Sequence, residues 1–157
     1  MKDIVEWLIL KKKSISTMES CTGGFVSSAI TDVDNSSLVF KFGAVTYSND
    51  FKIKLGVSEK VIEDYSVYSM ECAKEMSKKI SFYTFSDYGI GVTGKFNKKD
   101  LNNPYGDDKT IFVSIYSRSD DKFYNKVVSV VDANRHENKK HVLDEIISLF
   151  NEKIIKK

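Results

Sequence analysis

Residues 14–31, SISTMESCTGGFVSSAIT, run from a short alternating segment through a turn of small residues into a helical segment. Residues 14–18 alternate between polar and apolar side chains, which predicts a strand, and residues 25–31 are predicted to form a helix. A strand, a small-residue turn and a helix in this order are the layout of a ligand site in an α/β domain. We therefore predict an α/β fold whose site lies at residues 19–24, ESCTGG.

The rest of the chain extends this pattern in both directions. Residues 1–12 have an amphipathic helical pattern, and Ser58 and Ser69 are candidate N-caps of two central helices. Further helices are predicted at 50–55 and 135–154, and strands at 38–47, 87–93, 110–118 and 123–131. Because the last two strands form a predicted hairpin, we expect a layered α/β/α single domain over 1–157 with a mixed, mostly parallel sheet flanked by helices.

Charge and composition exclude several classes of function. The 157 residues include 24 basic and 22 acidic side chains, a net charge of +2, which argues against a protein built to bind a nucleic-acid backbone. The two cysteines lie far apart and are neither a disulfide framework nor a metal-ligand spacing. With two histidines as well, no cluster of Cys and His suggests zinc, so we expect no metal. The apolar run near the N-terminus is too short for a membrane span, which predicts a cytoplasmic protein without membrane contact.

The turn after the first strand is the first candidate site. Its small residues allow close approach of a ligand, and N–H groups at the start of a helix form an anion site. Ser20 would then be a nucleophile facing a bound carbonyl or phosphate. The alternative is a tight strand-to-helix turn in which Thr22 caps the helix. Cys21 is a rival nucleophile, although a small packed thiol is the expected role.

Residues 44–52, AVTYSNDFK, are the second candidate. Lys52, at the end of a strand, can act as a base on a serine if desolvation lowers its pKa. The alternative is an ordinary surface lysine, and the alternative for Tyr47 is a core aromatic residue with a polar tip.

Two further positions bear on ligand binding. Residues 89–94, GIGVTG, match a dinucleotide-binding pattern, but their glycines fall inside a predicted strand that packs tightly against a neighbour. Thr93 and Gly94 then lie at its ligand-facing end. Arg135, at the start of the last helix, can meet a phosphate or simply be solvated.

In their order along the chain, these segments resemble the family of the C-terminal domain of competence/damage-inducible protein A. The resemblance rests on residues 17–24, TMESCTGG, on 47–49, YSN, on Lys52 and on 92–94, VTG. Members of that family hydrolyse the amide of nicotinamide mononucleotide. The resemblance thus implies a small-molecule nucleotide substrate, no cofactor, and a homodimer, since the family commonly self-associates.

Roles for individual residues follow from the same resemblance. It implies that Ser20 is the nucleophile on the carboxamide and that Lys52 is its base. It implies that Tyr47 and Asn49 shape the pocket and that Thr93 and Gly94 line it. It also implies that N–H groups of the turn residues Thr22, Gly23 and Gly24 hold polar or phosphate oxygens.

This chain departs from the family pattern after Gly94. Residues 95–100, KFNKKD, replace isoleucine-alanine-glycine-proline and a glycine-rich loop, and only Arg135 is retained of the glycine-aspartate-arginine stretch. The alternative function is therefore a catalytically inactive or altered-specificity nucleotide-binding or regulatory protein of the same fold. A third hypothesis, an interaction protein of the DNA-uptake machinery, comes only from the family's name, and the balanced charge argues against direct DNA contact.

Overall fold

The computed structural model describes residues 1–156. Its five strands are β1 Ile15–Glu19, β2 Phe40–Val45, β3 Tyr88–Gly94, β4 Thr110–Ser117 and β5 Lys122–Ser129. Its α-helices are α1 Lys2–Lys11, α2 Phe25–Thr31, α3 Asn49–Lys54, α4 Glu59–Tyr65, α5 Met70–Thr84 and α6 Arg135–Phe150. A 3-10 turn at Ser36–Leu38 precedes β2, and a π-helical turn at Asn151–Ile155 follows α6.

The sheet has the strand order β2-β1-β3-β4-β5. The pairs β1–β2 and β1–β3 are parallel, whereas β3–β4 and the hairpin β4–β5 are antiparallel. Four of the five strands therefore run in the same direction, and only β4 runs in the opposite one. Two of the four strand pairs are parallel and two are antiparallel. This confirms the prediction of a mixed sheet with helices around it.

Helices cover both faces of the sheet. One face packs against α1, α2 and α6 in a core that includes Leu8, Ile90, Val113 and Ile146, and the other packs against α5. The approach of α5 is very close, because a Cβ added to Gly91 would lie 2.3 Å from the carbonyl oxygen of Ala73. Gly89 and Gly91 thus serve helix–sheet packing, which confirms the tightly packed strand predicted there.

The differences from the predicted elements are at their ends. The strand predicted at 38–47 is β2, which begins only at Phe40 because the 3-10 turn precedes it. Lys52 lies on α3, within the helix predicted at 50–55, and not at a strand end. Ser69 caps α5 by accepting a hydrogen bond from the N–H of Cys72 at 3.1 Å, whereas Ser58 precedes α4 without a side-chain capping bond. None of the helices in residues 1–156 is both long enough and apolar enough to span a membrane.

Candidate active site

Ser20 and Lys52 meet at the carboxyl end of β1. Ser20 follows β1 directly, and its N–H is bonded to the carbonyl of Val92 on β3 at 2.9 Å. The Nζ atom of Lys52 lies 3.2 Å from Ser20 Oγ and 2.7 Å from the carbonyl oxygen of Thr46. Ser20 is 6% exposed and Lys52 only 2%. The structure therefore places the hydroxyl of Ser20 and the amine of Lys52 in direct contact, in a buried position.

Burial sets the protonation of Lys52. Desolvation lowers the pKa of its amine below the ordinary value of 10.5, and the nearby Cys72, Cys21 and Asp100 act in the opposite direction. The same contact works in both protonation states, because the neutral amine accepts from the Ser20 hydroxyl while the ammonium donates to it. Meanwhile the carbonyl of Thr46 takes an amine hydrogen and orients the group. A lysine in this setting is suited to act as a base on serine.

Glu19 is a residue of the turn whose role sequence reasoning missed. Its fully buried carboxylate accepts hydrogen bonds from the N–H groups of Gly24 and Val26 at 3.1 Å each and from the N–H and hydroxyl of Ser27 at 2.8 and 2.7 Å. It therefore fills the N-terminal end of α2, where negative charge is favoured. The only signal in the sequence was an acidic residue within reach of the helix start.

This arrangement corrects two expectations about the turn. Gly24, and not Thr22, is the N-cap of α2, because the Glu19 side chain is long enough to cap the helix from β1. The N–H of Gly24 is bonded to Glu19, and that of Gly23 donates to the carbonyl of Ser20 at 3.1 Å. Two of the three N–H groups assigned to ligand oxygens are thus engaged inside the protein. The binding role of Thr22 stays a prediction.

Tyr47 and Arg135 lie together beside the pair. The Tyr47 ring is 67% exposed, so the core-aromatic alternative is wrong: the residue follows β2, an edge strand of the sheet. Its hydroxyl accepts a hydrogen bond from the Arg135 guanidinium at 3.2 Å. The guanidinium also lies over the ring of Phe96, 5.1 Å from its centroid. The structure therefore brings two of the predicted ligand residues together.

Thr93 and Gly94 lie at the end of β3, as predicted. The hydroxyl of Thr93 donates to the carbonyl of Val67 at 2.7 Å. Gly94 has φ +149, and a Cβ there would lie 2.4 Å from the carbonyl oxygen of Thr110. Both contacts hold the backbone around the site, and a direct ligand contact of either residue stays a prediction.

The loop after Gly94, which departs from the family pattern, packs beside the site. Asp100 accepts hydrogen bonds from the hydroxyl of Tyr68 and from Asn103 Nδ2 at 2.9 Å, and Asn103 Oδ1 accepts from Asn49 Nδ2 at 2.8 Å. We call Tyr68, Asp100, Asn103 and Asn49 the loop latch. The hydrogen bond from Tyr68 is the main cause that holds the pKa of Asp100 at about 2. Since Asn49 begins α3, the latch ties the loop to the helix that carries Lys52.

The bulky residues of this loop are also ordered. Lys95 is buried, 3.1 Å from Asp108 Oδ1 and 4.7 Å from the centroid of the Tyr68 ring. Phe96 is buried in the main core. The loop that departs from the family pattern is thus part of the packed structure of this chain.

Other candidate groups are outside this chemistry. Cys21 is buried, and burial raises the pKa of its thiol to about 12, so it is the packed thiol that was predicted and not a nucleophile at neutral pH. Within residues 1–156, no cluster of three His, Cys, Asp or Glu side chains could hold a metal ion. Two grooves, of 450 and 330 Å³, are lined by residues other than Ser20 and Lys52.

Comparisons with known proteins agree on one family. The family model for the CinA C-terminal domain matches residues 1–154. A CinA-like protein of Endomicrobium trichonymphae is 36% identical over 153 residues, which are 96% of this chain and 34% of that protein. A putative competence-damage inducible protein of Clostridium perfringens is 48% identical over 88 residues, 55% of this chain and 21% of that protein. The chain thus spans about a third or less of the length of these relatives.

Solved structures extend the similarity to the fold. The crystal structure of the competence/damage inducible protein CihA from Agrobacterium tumefaciens superposes with a TM-score of 0.80 at 25% identity and covers 94% of this chain and 91% of that chain. A CinA superfamily protein from Klebsiella pneumoniae gives a TM-score of 0.87 at 21% identity, with 99% and 96% covered. The second likeness is one of fold alone.

Proposed function

The chain belongs to the CinA C-terminal domain family, and on that premise we propose that it is an amidohydrolase that deamidates nicotinamide mononucleotide. The products are nicotinate mononucleotide and ammonia, a reaction of pyridine nucleotide recycling. One observation carries the proposal: the Ser20 hydroxyl and the Lys52 amine are 3.2 Å apart, buried, and the pKa of the lysine is lowered by that burial. A nucleophile is activated in this way by an adjacent base of lowered pKa.

The proposed reaction has two stages. Ser20 Oγ attacks the carboxamide carbon while its proton passes to Nζ of Lys52, and the protonated Lys52 then delivers that proton to the departing amide nitrogen. Ammonia leaves, and an ester of Ser20 remains. Water, deprotonated by the neutral Lys52, hydrolyses the ester and restores the serine. The base and the acid are the same amine, which the carbonyl of Thr46 keeps in place at 2.7 Å.

Ammonia release from nicotinamide mononucleotide by the purified protein tests this proposal. We expect Ser20→Ala and Lys52→Ala each to lower kcat by at least about a thousandfold, because a nucleophile and its base act as one unit. The matched controls are Ser28→Ala on α2 and Lys54→Ala on α3, both exposed neighbours of the site. A folded parent protein that releases no ammonia, or variants that keep full activity, would refute the proposal.

The second candidate is a nucleotide-binding or regulatory protein without catalysis. Its supporting observation is that the nucleophile is almost fully covered while the loop latch ties the rewritten loop to α3. Calorimetric binding of nicotinamide mononucleotide without ammonia release would favour this reading over the hydrolase.

A further inference from the structure

The usual anion site of a strand–turn–helix unit is closed in this chain. N–H groups at a helix start hold phosphate in many α/β proteins. Here the Glu19 carboxylate already accepts four hydrogen bonds from Gly24, Val26 and Ser27. A phosphate at the start of α2 would have to displace a buried negative charge from its donors, which is strongly unfavourable. An anionic substrate group therefore needs another source of positive charge near Ser20.

Two side chains of α6 supply that charge. Lys139 Nζ lies only 3.3 Å from the position that a Cβ of Gly23 would take, so the ammonium group packs against the catalytic turn. Arg135 precedes Lys139 by four residues, which places both on one face of α6. Its guanidinium bonds to Tyr47 and is the strongest of the charges that lower the pKa of Cys21, the residue next to Ser20. We call Arg135 and Lys139 the α6 cation pair.

Neither member of the α6 cation pair forms an ion pair with an acidic side chain in the part of the chain that the structure describes. The nearest acidic residue on the helix, Glu137, is engaged in the capping box, where it accepts from the N–H of Asn134 at 3.2 Å. Two cations without an ion-pair partner beside a nucleophile favour an anionic ligand.

Thr22 adds an independent observation at the same turn. It lies between Ser20 and Gly23 in sequence, it is fully buried, and within the described residues its hydroxyl has no hydrogen-bond partner. A buried hydroxyl without a partner is costly, and a ligand oxygen would satisfy it.

We propose that the α6 cation pair binds the phosphate monoester of the substrate, and that Lys139 determines the preference for a nucleotide over its nucleoside. The inference rests on the proposed hydrolase function for its kinetic readout. Gly23 follows Ser20 by only three residues, so a mononucleotide can reach from an amide at Ser20 to a phosphate at Lys139. Arginine supplies a planar pair of donors to the phosphate, and lysine a point charge.

The kinetic test compares nicotinamide mononucleotide with nicotinamide riboside, which lacks the phosphate. For Lys139→Gln we expect KM for the nucleotide to rise about ten- to a hundredfold, with kcat within about twofold and with no change for the riboside. Lys139→Arg should restore most of the affinity, since it keeps the charge. The matched control is Lys140→Gln, an exposed lysine next in the chain. Equal effects on both substrates, or no effect, would overturn the inference.

A binding test separates this inference from the proposed function. The affinity of nicotinamide mononucleotide is measured by calorimetry in Ser20→Ala and in Ser20→Ala with Lys139→Gln, at low and high salt. We expect weaker binding and a smaller salt dependence in the double variant. If the double variant shows this result and the parent protein releases no ammonia, the phosphate site is supported and the proposed hydrolase function is refuted. The inference is refuted if the parent protein is active but Lys139→Gln does not change the affinity for nicotinamide mononucleotide. It is also refuted if no binding of the nucleotide is detected.

Discussion

The amine of Lys52 and the hydroxyl of Ser20 lie 3.2 Å apart although 32 residues separate them along the chain. The contact exists because β1 ends at Glu19 while α3 begins at Asn49, after the neighbouring strand β2 has returned the chain to the same end of the sheet. Both side chains are withdrawn from water there, and the lowered pKa of Lys52 follows from that position.

The first prediction concerns the pH dependence of activity. Because only the neutral amine can take the serine proton, kcat/KM should rise with pH, about tenfold per unit, to a plateau. Its midpoint should lie below 10.5, the ordinary pKa of lysine, since burial lowers the pKa of Lys52. A rate measured from pH 5 to 10 checks this. Lys52→Arg, whose side chain stays charged, should lose activity at every pH. If that variant shows the same rise of kcat/KM with pH, the rise must be assigned to another group.

The second prediction concerns the pH dependence of stability. Between the folded pKa of Lys52 and 10.5 the unfolded chain binds the lysine proton and the folded chain does not. The contribution of Lys52 to the free energy of unfolding therefore rises with pH in that window, by at most about 1.4 kcal/mol per unit. Urea unfolding of the parent and of Lys52→Met should show this rise in the difference between the two proteins. A difference that is independent of pH would contradict it.

The third prediction concerns Glu19. In Glu19→Gln the amide NH₂ must face N–H or hydroxyl donors whichever way it is turned, because both carboxylate oxygens accept from Gly24, Val26 or Ser27. We expect a loss of about 3 kcal/mol in the free energy of unfolding. Ser27→Ala, which removes only one of the four bonds to Glu19, should cost about 1–2 kcal/mol. Equal stability of the two variants by denaturant unfolding would show that the carboxylate is not essential to the turn.

The fourth prediction concerns the contact between β3 and α5. In Gly91→Ala the new methyl would lie 2.3 Å from the carbonyl oxygen of Ala73 and 2.7 Å from the nitrogen of Ser77, so helix and sheet must separate. We expect about 3 kcal/mol of destabilisation. Gly56→Ala is the comparison, since its Cβ has ordinary contacts with Lys79 and only the φ of +96 is strained, at a cost of about 1 kcal/mol. Thermal unfolding of both variants measures the contrast.

The fifth prediction concerns the loop latch. Tyr68→Phe keeps the ring beneath Lys95 but removes the hydrogen bond to Asp100, which lowers the cost of opening the loop by about 1 kcal/mol. Trypsin cleavage after the exposed Lys98 and Lys99 should then be about fivefold faster under native conditions. Tyr105→Phe, an exposed tyrosine of the same loop, is the control. Equal cleavage rates in both variants would show that the latch does not restrain the loop.

The fold was largely predictable because the turn at 19–24 and the hydrophobic patterns around it are local features. The helix at Phe25–Thr31 and the β4–β5 hairpin needed only side-chain periodicity and a polar turn. The end of β2 was less predictable, because the point at which the chain leaves an edge strand depends on which strand pairs with it. For the same reason the exposure of the Tyr47 side chain could not be predicted from the residues around it in sequence.

The candidate site divides in the same way. The sequence by itself determined that a serine follows the first strand in a small-residue turn and that a lysine comes after the second strand along the chain, because order along the chain and small-residue turns are local properties. Only the tertiary structure decided that Glu19 occupies the start of α2, and that Lys139 and Arg135 on α6 flank the turn. Those contacts join segments far apart in sequence, and their charges act through distance and burial, which residue order does not specify.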